Sequence, residues 1–234
     1  MAVIREVTFG DGTVVKITDW GDYPLYSRAV FTAEDLAGEL TQTQYLFNYT
    51  VGGQMPMTNA RATIADTNMP GASQLPMGHQ MLVYSLQVIP DEFAQGPTAN
   101  VFAPLQLTAE ATFAAGIWKW RKIMFQTFLQ LRIEQTKSFV DGRLDHFPMG
   151  GGVEFQSGAP VTEAYDVGNG NRTWQATRRL AMPVHLGSLE NFYVSLDWPR
   201  GGLDYHDAGS SGFWFNEGFG LTVRLTGPRQ RPTA

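Results

Sequence analysis

Four histidines, His79, His146, His185 and His206, and no cysteine limit the metal chemistry this chain can offer. A cupin-type centre needs two histidines one residue apart on a strand, a nearby carboxylate and a later third histidine. No such spacing occurs. The nearest substitute joins His185, His206 and Glu217 as two histidines and one carboxylate, a weak match against which each residue reads more simply as an ordinary loop residue. Gly150-Gly151-Gly152 has no following lysine and is a turn rather than a phosphate loop, and Ser210 and Ser211 lack a helix or base to activate them. Glu34 and Asp35 sit at a helix start, where the dipole explains them, and Asp91 and Glu92 follow a proline and are solvated. The sequence therefore predicts no catalytic, cofactor-binding or metal-binding residues, no cofactor and no small-molecule substrate.

The rings Trp198, Tyr205, Phe213, Trp214, Phe215 and Phe219 are interleaved with glycines and could stack on sugars. Large apolar groups are mostly buried, so the favoured reading makes them core and interface anchors. A carbohydrate-binding β-sandwich remains the alternative function, and a cupin-like metal enzyme a more distant one.

What must position these residues is read from periodicity. Residues 108–124 repeat apolar groups at Phe113, Ile117, Trp120 and Met124, a helical stripe opened by Thr108 and Glu110. From 125 the period becomes two, with Phe125, Thr127, Leu129, Leu131 and Ile133 on one face. One long helix through 138 is the competing reading. Short strands surround this stretch: a hairpin over 3–18, strands at 27–31, 42–50, 81–89, 179–186, 191–198 and 220–226, and a short helix at 32–38. A brief strand is expected near 62–65, a turn at 139–144, and a loop-rich region bracketed by 149–153 and 167–172. With no βαβ alternation, the prediction is an all-β chain: one antiparallel sandwich or jelly-roll domain over 1–234 with one mid-chain helix and one short helix. A loop excursion at 52–79 and an extended tail at 227–234 complete it.

Charged residues make up 17% of the 234 and the formal net charge is −5. An average soluble domain carries about 25% charged residues. Broad wrapping of nucleic acid needs clustered positive charge, which is absent here. The residues near the start carry charges where a signal peptide has its apolar core, so the chain is expected to begin near Met1 and to be made in a cytoplasm. A surface this poor in ionised groups fits either cover by copies of itself or by partners, which is the favoured reading, or a secreted, polar-uncharged β-domain. The residues expected at such contacts are Met55, Met57, Met69 and Met77 in the excursion, Trp214 and Phe215, and Arg229 and Arg231 in the tail.

The order of hairpin, excursion, apolar strand, mid-chain helix and two closing strands around an aromatic loop, with the phrases at 179–198 and 220–228, resembles the jelly-roll capsid proteins of tailless icosahedral bacteriophages, including those with an internal lipid membrane. Coats of that lineage carry one jelly roll or two. The resemblance implies a virion subunit without catalysis whose partners are copies of itself and other capsid proteins. Basic groups at 119–122 or 224–231 would then be the ones to face a membrane or genome.

Overall fold

Alternating apolar side chains can all be buried only if strands pair in a register that collects them on one face. The computed structural model describes residues 6–8, 14–16, 20–31, 43–55, 60–92, 105–107, 125–134, 137–147, 153–155, 165–169, 178–198 and 219–230. Their strand segments are β1 (Glu6–Thr8), β2 (Val14–Lys16), β3 (Trp20–Asp22), β4 (Leu25–Phe31), β5 (Gln44–Leu46), β6 (Gln80–Glu92), β7 (Leu105–Leu107), β8 (Phe128–Ile133), β9 (Lys137–Arg143), β10 (Val153–Phe155), β11 (Tyr165–Asn169), β12 (Arg178–Leu186), β13 (Phe192–Asp197), β14 (Phe219–Thr226) and β15 (Pro228–Gln230).

The central strand is β6, which takes β12 on one flank and β14 followed by β15 on the other; β4 and β3 line the far side of that pair. A second sheet has the order β5-β13-β8-β9. We treat β3–β4 and β14–β15 as continuous ribbons and number the eight main ribbons along the chain. The first sheet then reads 1-8-3-6 and the second 2-7-4-5. Two antiparallel four-ribbon sheets interleaved in this way form a jelly roll. The hairpin β1–β2 stands as its own two-stranded sheet. A third sheet, β10-β11-β7, joins the connection after β6 to the connection after β9.

The core lies between the two main sheets. Leu221, Val223 and Leu225 of β14 are fully buried, with Val88 and Leu86 opposite the last two on β6 and Leu25 opposite Leu225 on β4. Across the second sheet, Leu46, Val194, Leu131 and Val140 form one inward row, and Phe192 with Ile133 another. β6 buries Met81 and Val83 but then Leu86 and Val88, so its parity changes once. The change coincides with a shift of register, since Thr226 pairs Ser85 while Arg229 pairs Met81, leaving one extra residue on β6. Gly227 sits at that bulge, where a Cβ would lie 1.9 Å from the Leu82 carbonyl oxygen.

Several local expectations need correction. The strand expected over 42–50 stops at Leu46, because Phe47 adopts φ 67 and breaks the alternation. Gln44 and Leu46 therefore face inward and Tyr45 outward, and Phe47 and Tyr49 are buried beyond the strand. No strand forms at 62–65, where the chain turns around Asp66. Residues 139–143 lie in strand β9 rather than a turn, with Val140 and Gly142 inward, and Leu144 opens a single 3-10 turn. Gly142 adopts φ 155, and an added Cβ there would stand 3.1 Å from His146 Nδ1, closer than ordinary contact. Strands β10 and β11 lie in the region expected to be rich in loops. The tail expected from 227 contains β15, and Pro90 lies within β6, past the point where β12's ladder ends at Leu86.

In the pivotal stretch, 128–133 is strand β8 with Leu129, Leu131 and Ile133 inward, which excludes one helix through 138. Thr127 is buried as expected, but Phe125 is 51% exposed. The helical stripe at 108–124 and the short helix at 32–38 lie outside the described residues.

Candidate functional site

The excursion at 52–79 is held by its own subunit. β4 is an edge ribbon, and Thr67 bridges to its Ser27. Asn68 accepts from the Tyr26 backbone N–H at 2.9 Å and donates to the Pro24 carbonyl at 2.7 Å. Arg28 and Val30 point away from the sandwich core and are covered by the excursion: Val30 packs with Tyr49, Met55 and Ala62. The Arg28 guanidinium meets Asp66 at 3.3 Å, with both side chains 9% exposed. Asp66 also accepts from the Thr63 backbone N–H at 2.8 Å and its hydroxyl at 2.7 Å. The Tyr49 hydroxyl accepts from the Arg28 backbone N–H at 3.1 Å and donates to its carbonyl. A sheet edge that would otherwise invite pairing is thereby closed.

Burial pushes the Tyr49 hydroxyl above its ordinary value of 10.0, outweighing its hydrogen bonds with Ser27 and the Arg28 backbone. Tyr26 is raised by burial first and by the Asp66 charge second. A folded-state pKa above the unfolded one means the stabilisation is whole below about pH 10 and is lost as pH rises through the raised value. The urea midpoint of the wild type is expected to stay level up to pH 10 and then fall. In Tyr49→Phe the alkaline fall should be shallower; identical slopes would show that Tyr49 plays no part in it.

The residues expected to meet neighbours are divided by this arrangement. Met55 and Met69 are 6% and 2% exposed and Arg229 3%, so their side chains are used inside the subunit rather than at its surface. Sequence alternation missed this because the excursion's fold over β4 is a tertiary event. Met77 stands out at 76% exposed. Met57, Trp214, Phe215 and Arg231 lie outside the described residues.

Of the rings proposed for sugar stacking, Trp198 is a core residue at 7% exposed, its indole N–H donating to Thr127 at 3.0 Å. Phe219 is in β14, and Tyr205, Phe213, Trp214 and Phe215 lie outside the described residues. Of the histidine–carboxylate set, His185 is exposed on β12 and bonds to Gln80 at 2.9 Å; His206 and Glu217 lie outside the described residues. Among the described residues no three histidine or acidic side chains gather as metal ligands, and no helix is long and apolar enough to cross a membrane.

Two outward regions carry exposed apolar side chains. On the first sheet, an open depression of about 660 Å³ forms where β6 and β12 both lose register, between Arg179 and Val184 on β12. Asp22, Tyr84, Arg179, Pro183 and Pro228 line it, and Met182 in the bulge is 79% exposed. On the second sheet the outward rows are Tyr45, Ser195, Gln130, Asp141 and then Tyr193, Arg132, Ser138. Tyr45 and Tyr193 meet edge to face at 5.3 Å between centroids. Phe139 and Phe125 are half exposed, and Arg143 lies over the Phe125 ring at 5.1 Å. Asp197 accepts from Thr43 at 2.6 Å and Ser195 at 2.9 Å. These rings and hydrogen-bonding side chains share the outward side of the second sheet, where Ser195 is itself buried.

Comparison with family models, curated proteins and solved structures finds no match to this chain.

Proposed function

We propose that this chain is a structural subunit that assembles with copies of itself, as the jelly-roll coat proteins of tailless icosahedral phages do. The observation that carries the reading is the set of large apolar side chains left exposed on both outer surfaces, including Tyr45, Tyr84, Phe139 and Met182 at 45–79% exposure. On a chain with 17% charged residues, few ionised groups offset them. The strand order supports the reading, since a rigid jelly roll can present surfaces at its ends and sides to several neighbours at once.

Under this reading the partners are copies of itself and other capsid proteins in a virion, the chain being synthesised in a host cytoplasm, and the subunit's work is shape rather than catalysis. Light scattering coupled to size exclusion, with negative-stain imaging of the same fractions, is the test. The mass is expected to rise with concentration toward closed oligomers or shells. A protein that stays monomeric throughout would end the proposal.

A further inference from the structure

The open depression on the first sheet has a proline on each side of β6. Arg179 and Val184 of β12 pair Ser85 and Val83, so residues 180–183, with Pro183 among them, bulge past Tyr84. On the other flank Thr226 pairs Ser85 and Arg229 pairs Met81, so Gly227 and Pro228 stand against residues 82–84. Neither proline has an N–H to give to β6, and ladder bonds are lost beside Tyr84 on both flanks. The depression is therefore written into the sheet, and its volume of about 660 Å³ is that of a ligand site.

Its lining combines two kinds of group. Tyr84, which is 45% exposed, supplies an aromatic ring, and Leu180, Pro183 and Pro228 supply aliphatic surface. Of the described residues that line it, Arg179 on β12 and Asp22 on β3 are the charged ones. In the order β12-β6-β15-β3 their backbones are three strand spacings, about 14 Å, apart across the sheet, so the two charges flank the depression. The guanidinium only donates hydrogen bonds and the carboxylate only accepts them. One charge of each sign gives the lining no net charge, which disfavours a polyanion or polycation and suits a neutral molecule whose hydroxyls both donate and accept. A sugar ring carries such hydroxyls around its rim and apolar C–H faces that pack on an aromatic ring. We infer that this depression binds a neutral saccharide, with Tyr84 against a sugar face, Arg179 donating to hydroxyls on one flank and Asp22 accepting from hydroxyls on the other. The inference does not rest on self-assembly, and it places the sugar away from the glycine-interleaved rings at 205–215.

A glycan array of neutral and sialylated oligosaccharides, followed by calorimetry with the neutral glycans it retains, tests the full chain. The wild type is expected to retain neutral glycans. Tyr84→Ala and Asp22→Ala, both at exposed positions, should each lower that affinity about tenfold or more with an unchanged circular dichroism spectrum. An array that retains no neutral glycan overturns the inference, and so does binding that neither substitution weakens, which would put the sugar elsewhere on the chain. Decaproline is the probe for another occupant, since polyproline helices also dock on aromatic surfaces. Saturable decaproline binding that Tyr84→Ala abolishes, with no glycan bound, would make this a peptide groove and overturn the saccharide. The self-assembly reading stands or falls separately, on the mass of the wild type.

Discussion

Asp66→Ala is expected to destabilise the subunit by about 3–5 kcal/mol, the range for removing one partner of a buried ion pair. The reason is not the strength of the attraction. Two side chains 9% exposed have left water, and taking away the carboxylate leaves the Arg28 guanidinium to bear its desolvation without it. Asp66 also holds the turn by accepting from Thr63, so the same substitution loosens the segment that covers β4. Replacing both partners with apolar residues, Arg28→Met with Asp66→Leu, should recover the part of the loss that comes from the buried guanidinium, since well-packed substitutes for buried pairs are often neutral, but not the part that comes from the Thr63 turn. Urea unfolding of the two single variants and the double variant provides the measurement. A change below about 1 kcal/mol in Asp66→Ala would place the pair with solvated surface bridges. The single variant should also aggregate more readily, because Val30, Met55 and the edge of β4 lose their cover.

Phe47→Ala is expected to cost a similar amount, about 3–5 kcal/mol, from lost burial and the cavity left behind. The ring is fully buried and tilted against Phe192 at 5.9 Å between centroids. Its backbone is equally placed: the Phe47 N–H donates to the Ser27 hydroxyl at 2.9 Å and its carbonyl accepts from the Ser73 N–H at 2.7 Å. This position links the second sheet to the first and to the excursion. With φ 67, a glycine here would relieve backbone strain while losing the same ring. Phe47→Gly should therefore be no less stable than Phe47→Ala, although glycine elsewhere is worse than alanine by roughly 0.5–1 kcal/mol. Thermal melts of the two variants decide between them, and a clearly lower melting temperature for the glycine variant would show that the left-handed backbone carries no strain.

The amino-acid order alone was enough to show that the chain is all-β and where its regular strands lie. Leu129, Leu131 and Ile133 in β8, Phe192, Val194 and Leu196 in β13, and Leu221, Val223 and Leu225 in β14 alternate without interruption, and each set is buried as its period requires. Period two is a local property, so local sequence carries it. Departures from that period were harder to read. The left-handed turn at Phe47 and the extra residue on β6 opposite Gly227 each reverse which residues face inward, and neither has a compositional mark beyond one glycine.

Pairing across long separations was settled only by the fold. Thr67 meets Ser27 and Asp66 meets Arg28 where the excursion folds over β4, and Arg229 is drawn into the interior beside Met81, so Met55, Met69 and Arg229, which looked available for neighbours, are consumed within the subunit. The outward rows of the second sheet arose in the same way. Tyr45, Tyr193, Gln130 and Arg132 are scattered along the chain, and only the β5-β13-β8 register sets them side by side. Burial is decided by whichever segment covers a side chain, and a segment's own alternation contains no information about its distant cover.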